Sequence, residues 1–263
     1  SLGGSYASGV DSFAAATMNI TSTYGAQGPN AIAIGQNAKA TGNPSIAIGQ
    51  NAAATGDMSI AIGWSHSAGN RSYIIGGTGC TAGDNSVCLG SWNSTISNGY
   101  STAVGGGKAS DNGIQNKWVF SILAAPVNGG AQSGKFVLYR ATTDATPTAL
   151  YTNSDASVNG GNQVTLPNQS CHAFSALIVA RQSSSQGTAS AAWKIEGLVR
   201  REASAATTVL VSSNMTILSN APGWTVAVTA DTTVGCLTFT VTGAAATNIR
   251  WVATVTTSEV IYP

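Results

Sequence analysis

Charge is what this chain of 263 residues has least of. Lys and Arg number 11, Asp and Glu 10, so 8% of residues are charged and the formal net charge is +1. Such a chain offers no electrostatic footprint for nucleic acid and none for an anionic membrane surface. Long apolar runs are missing too. The longest, AFSALIVA at residues 173–180, falls far short of the roughly 20 residues of a bilayer-spanning helix. The opening SLGG has no Met, no basic segment and no apolar leader, and is expected to begin a soluble fragment or processed piece of something longer. Amphipathic helices are absent as well: the nearest run, ASAAWKIEGL, continues as VRRE and alternates better than it spirals.

Catalytic groups are scarce. There are two histidines, His66 and His172, and the four cysteines Cys80, Cys88, Cys171 and Cys236 form no CxxC pair. Reduced thiols in a protein assembled in a cytosol are expected, with a Cys80–Cys88 bridge as the alternative. Cys171 and His172 are adjacent, and adjacent strand residues face opposite ways, which excludes a dyad between them. Cleaving a polysaccharide requires carboxylates paired across a groove. The second half supplies Asp144, Asp155, Glu196, Glu202, Asp231 and Glu259. Glu196 and Glu202 share a segment with Lys194, Arg200 and Arg201 and read as a solvated cross-strand ladder; Asp155 and Asp231 read as turn residues. No enzyme activity, cofactor or metal is expected. His66 reads as a surface-loop histidine, the alternative being an ion site on an oligomer axis.

What the chain has is repetition. Residues 31–63 read AIAIGQNAKATGNPSIAIGQNAAATGDMSIAIG, and Gly35, Gly49, Gly63, Gly76, Gly90 and Gly105 close successive phrases at spacings of 14, 14, 13, 14 and 15. A short fixed period signals a solenoid. Fourteen residues are too few for a helical hairpin but suffice for two short strands and two tight turns. In NAKATG, Ala38 and Ala40 share a face opposite Lys39. In SIAIG both faces are apolar, since Ile46 and Ile48 point one way and Ala47 the other. Such a strand must be covered twice, once by the roll's interior and once by neighbouring chains. Six turns at about 4.8 Å give a rod segment of roughly 29 Å.

SIAIG followed by NAAATG resembles the head repeat of trimeric autotransporter adhesins, the YadA-like parallel β-roll, which is also found in bacteriophage tail fibres. The resemblance covers residues 31–107 and implies a homotrimer. The upstream GGSYASGVDSFAAA looks like a decayed turn, so 1–30 are assigned to that turn and an insertion. Neither heptads nor membrane-barrel strands follow the repeat. From 108 to 263 the text alternates instead: Trp193, Ile195 and Val199; Trp224, Val226 and Val228; Leu237, Phe239 and Val241; Ile249, Trp251, Ala253 and Val255 each fall on one face. About nine such strands between Trp118 and Tyr262 predict a β-sandwich or jelly roll. The whole is therefore expected to be all-β, a roll followed by an antiparallel sandwich.

A slender rod ending in a Thr-rich β domain resembles the receptor-binding part of a phage tail fibre. That resemblance implies a virion location, assembly in the host cytoplasm, proximal tail-fibre segments as partners, and a bacterial surface glycan or outer-membrane protein as receptor, with no nucleic acid and no membrane insertion. The alternatives are the head of a bacterial adhesin binding host surfaces, a polysaccharide depolymerase, and a spacer whose C-terminal domain only caps and trimerises. Sugar sites use exposed aromatics with amide and hydroxyl groups nearby. Trp64, Trp92, Tyr100, Tyr139 and Tyr151 are expected on loops or turns. The polar loop 152–163 is the preferred contact segment, and the candidate receptor-binding residues are Tyr151, Asn153, Asp155, Asn159, Asn162 and Trp92.

Overall fold

The structure is a computed structural model and describes residues 5–15, 22–122, 126–153, 161–221 and 223–262. It divides into two compact units: residues 1–111 with 118–129, and residues 112–117 with 130–263.

The first unit is a parallel β-solenoid of about 7 turns over residues 25–119, one turn more than six phrase glycines suggest. One sheet stacks Phe13–Ala15, Ile32–Ile34, Ser45–Ile48, Ser59–Trp64, Tyr73–Thr78, Val87–Leu89, Thr102–Val104 and Trp118–Ser121. The other stacks two-residue strands from Gly25–Ala26 to Thr95–Ile96. Ile32 lies beside Ile46, Ile46 beside Ile60, and Ala47 beside Ala61, and the register slips once, between Ile62 and Trp64. Phe13 pairs with Ile32 in the same register, so the decayed upstream phrase forms a stacked turn, and Trp118–Ser121 extends the stack beyond residue 107.

The interior is narrow, which selects its residues. Ala33, Ala47, Ala61, Ile74, Cys88, Ala103 and Val119 point inward from the first sheet, and Ala40, Ala54, Ala68 and Ala82 from the second, all buried. The corners are closed by repeated bonds: the Ser45, Ser59 and Ser72 hydroxyls donate to the carbonyls of Gly42, Gly56 and Gly69 at 2.9, 2.5 and 2.6 Å. At Gly49 (φ +126°) a Cβ would stand 1.9 Å from the Gly63 carbonyl oxygen of the next turn. Only glycine fits there.

The second unit is a sandwich of antiparallel sheets. Ala131–Thr142, Ile249–Ile261, Ser170–Gln182, Ser190–Arg201 and Val209–Ser219 lie side by side in that order. Thr148–Ala149, Val164–Thr165 and Thr225–Asp231 pair with Cys236–Thr242. These are nine strands among the described residues; the alternation predicts about nine from Trp118 onward, but Trp118–Ser121, a tenth, stacks on the roll instead. Their inward residues make one core, in which Trp193 stacks on Trp251 with ring centroids 5.7 Å apart and Phe174 meets Phe239 edge-on at 5.9 Å. The AFSALIVA run is one strand of the larger sheet: Phe174, Ala176, Ile178 and Ala180 are buried, whereas Leu177 and Val179 on the other face are about half exposed.

Candidate functional site

The solenoid's first sheet settles which face of SIAIG points inward. In the SIAIG turns the alanines Ala33, Ala47 and Ala61 fill the interior and the flanking isoleucines are left outside, while Ile74 takes the inward position in the next turn. Ile32, Ile46, Ile60, Tyr73 and Val87 form one outward column, and Ile34, Ile48, Ile62, Ile75, Leu89 and Val104 form another, each residue in register with the next. All are partly or well exposed in the single chain, with Ile75 at 44%. Trp118 and Phe120 prolong this surface at 51% and 58% exposure. A two-column apolar strip of this length, with Thr102 between Val87 and Trp118 in the first column, is unusual on an isolated soluble chain.

In the second unit the base of the 152–163 loop is tightly tied. Thr152 N–H donates to the Asn162 carbonyl at 2.8 Å, and Gln115 N–H to the Gly161 carbonyl at 2.9 Å. The Asn162 amide donates to Asn153 Oδ1 at 2.8 Å and the Asn153 amide to Gln115 Oε1 at 3.2 Å. Tyr151 is half-buried: it exchanges backbone hydrogen bonds with Tyr139 and lies under the Arg140 guanidinium, 5.6 Å from the ring centre. Asp155 and Asn159 lie outside the described residues. Trp92 belongs to the other unit, where it is 39% exposed and bridges Thr78 and Gly107. Two of the aromatics expected on loops are on strands instead, Tyr139 within Ala131–Thr142 and Trp64 at the end of Ser59–Trp64, while Tyr100 is exposed at 66%.

His66 is a correction. It is no surface-loop residue but is 2% exposed inside the roll, where its Nδ1 accepts a hydrogen bond from Cys80 N–H at 3.3 Å. Backbone pairing puts Ala52, His66 and Cys80 at equivalent positions of successive turns. Stacking the sequence in steps of 14 therefore carries the signal that places it indoors. Burial lowers its pKa, although the Gly76 and Ile62 carbonyls pull the other way. Cys80 and Cys88 are free thiols in the same interior, and Cys88 is pushed up by Cys80 and by burial. The Lys194–Glu196 and Arg200–Glu202 pairs are solvated, as expected, but run along their strand and not across it.

A buried charge cluster in the second unit was not legible beforehand. Glu259 Oε2 accepts from Lys117 Nζ at 2.7 Å, Gln132 Nε2 at 2.6 Å and Asn112 Nδ2 at 3.1 Å, and Oε1 accepts from the Thr257 hydroxyl at 2.6 Å. Both ion-pair side chains are fully buried. Gly134 makes the room, for a Cβ there would stand 2.4 Å from Glu259 Oε1. Burial opposes ionisation of Glu259, but the Lys117 charge and the donated hydrogen bonds outweigh it and hold the carboxyl at about 2.

His172, paired across strands with Glu259, is 1% exposed, and neither ring nitrogen has a hydrogen-bond partner among the described residues. Burial lowers its pKa from 6.5 to about 4, with Glu259 pulling it up and Lys117 pushing it down. Between these values the unfolded chain binds the proton that the folded chain refuses, so the contribution is complete above 6.5 and lost as pH falls toward 4. The difference corresponds to about 3 kcal/mol. The melting temperature is expected to fall across this window, and His172→Leu to flatten the fall. An unchanged slope in the variant would contradict the assignment.

Residues 26–52 and 40–65 match the family model of the YadA head domain repeat as two overlapping copies. Residues 26–65 of the roll thus carry YadA-head-type repeats, which suggest an adhesin-like protein. No curated protein and no solved structure matches the chain.

Proposed function

We propose that the chain is the receptor-binding part of a homotrimeric phage tail fibre, the roll forming its rod and the sandwich the part that meets a bacterial surface glycan or protein, without catalysis. The observation that carries the reading is the two-column strip on the roll. Three copies around one axis cover it, and each partly exposed isoleucine that leaves water contributes up to about 1 kcal/mol. The sandwich adds support. Val209–Ser219 is the last strand of its sheet among the described residues, has no charge and no proline, and leaves Val211, Met215 and Ile217 about half exposed. An uncharged open edge of this kind is a template for aggregation unless another chain covers it.

The antiparallel sandwich that follows the roll supports the tail-fibre reading. The bacterial adhesin is the second reading, equally consistent with the repeat match. Fluorescently labelled protein applied to a broad panel of intact bacteria and to surfaces coated with animal matrix proteins separates the two. Labelling of particular bacterial strains, with bare matrix surfaces, is expected. Matrix binding without bacterial labelling would transfer the assignment to an adhesin, and binding to neither would leave a structural spacer.

A further inference from the structure

At one end of the sandwich's larger sheet, Arg181 and Arg250 occupy directly opposed positions on Ser170–Gln182 and Ile249–Ile261. Like charges directly opposite one another destabilise a sheet. Among the described residues nothing relieves them. The ion pairs of the described residues are Lys117–Glu259, Lys194–Glu196 and Arg200–Glu202, and neither guanidinium has a hydrogen-bond partner there. Their row neighbours on either side are Ala141 and Ser190, too small to cover them. Two cations are thus held side by side, exposed, in a chain that has only 11 Lys and Arg residues altogether.

They also wall a cavity of about 600 Å³, whose remaining surface includes Thr143, Gln182, Ser183, Ser184 and Asn248. That volume lies within the usual range for small-ligand sites and admits one or two pyranose rings. Its rim is tied. Ser183 N–H donates to the Asn248 carbonyl at 2.8 Å, Asn248 N–H to Gln186 Oε1 at 2.6 Å, and the Gln186 amide to the Ala246 carbonyl at 3.1 Å. Below the rim, Trp251 Nε1 donates to Thr142 Oγ1 at 2.9 Å. Loops fixed in advance need not be ordered on binding.

We propose that this cavity binds an acidic sugar unit, the paired guanidinium groups taking a carboxylate or phosphate oxyanion and the hydroxyl and amide groups taking the ring hydroxyls. The inference rests on the attachment reading and narrows it to an anionic glycan. Arginine matches such oxyanions because its planar fork donates two parallel hydrogen bonds, which lysine cannot do. A neutral glycan would give no return for two unpaired charges, and two arginines in a nearly neutral chain are no footprint for nucleic acid.

Calorimetric titration of the whole protein with tetragalacturonate, with a glycerol-phosphate oligomer and with neutral maltotetraose, in about 0.15 M salt, tests it. One of the two acidic oligomers is expected to bind, identifying the oxyanion as carboxylate or phosphate, and maltotetraose is not. Arg181→Ala and Arg250→Ala should each weaken binding on the order of ten- to a hundredfold. Arg181→Lys should recover little, and Arg200→Ala, outside the cavity, should bind as the parent does. Equal binding of maltotetraose, binding of neither acidic oligomer, or affinity indifferent to both alanine variants would overturn the proposal. Cell labelling retained by the double alanine variant would remove this cavity from attachment and leave attachment standing. Oligomer binding by a protein that labels no bacterium would keep the site and overturn the attachment reading.

Discussion

Glu259→Gln should destabilise the sandwich by about 3–5 kcal/mol. Gln has nearly the shape of Glu, so packing is not what changes. The side chain that receives Lys117, Gln132 and Asn112 on one oxygen loses its charge. If the amide oxygen takes that place, a fully buried ammonium has no counter-charge; if the amide nitrogen does, three donors face a donor. For a unit of this size the melting temperature is expected to fall by roughly 10 °C. Combining Lys117→Met with Glu259→Gln removes the stranded charge and should restore a large part of the loss, since a buried pair as a whole contributes little net stability. The two arms are read by thermal and denaturant unfolding. A single variant within about 1 kcal/mol of the parent would mean that the pair is more hydrated than its burial indicates. The acid response distinguishes the pair from His172. The depressed carboxyl of Glu259 contributes above 4.5 and fails as pH falls toward 2, below the window in which His172 acts.

The second large effect is expected on the roll. Ile46 and Ile60 are neighbours in one outward column, and their inward partners Ala47 and Ala61 are untouched by changes outside. Ile46→Glu with Ile60→Glu should therefore leave the solenoid folded, with an unaltered β-type circular dichroism spectrum. In a trimer it would put six carboxylates in a dry seam, each costing several kcal/mol where each isoleucine contributed up to about 1 kcal/mol. The expected result is a folded monomer. Thr at the same two positions, which keeps the branched shape without the charge, should only weaken association. A double-Glu protein that stays assembled would show that the strip is not the interface.

Much of this architecture is legible in the sequence because a solenoid applies one rule to every turn. The 14-residue period gives the stacking, and two-sided apolarity in SIAIG gives the need for a second cover. Alternation cannot say which side is inward. The fold decides it: alanines fill most inward positions between the two sheets, with larger side chains such as Ile74, Ile96 and Val119 at a few turns. His66 shows the limit from the other direction: taken alone in GWSHSAG it looks like a loop residue, while the period aligns it with Ala52 and Cys80, which are buried. In the sandwich the alternating faces are legible strand by strand, and the strand partners are not. Lys117 meets Glu259, and Arg181 meets Arg250, only through antiparallel pairing of segments far apart in the chain. Tyr151 beside a polar loop suggests an exposed tip, but its backbone pairing with Tyr139 needs the fold before it can be seen.

The most direct test of the account is the mass of the protein in solution by light scattering. Three chains of 26.3 kDa, about 79 kDa, are predicted for the parent, and one for the Ile46→Glu, Ile60→Glu variant. A parent that remains a stable, soluble 26.3 kDa monomer at high concentration would contradict it, because the apolar strip would then face water with nothing to cover it.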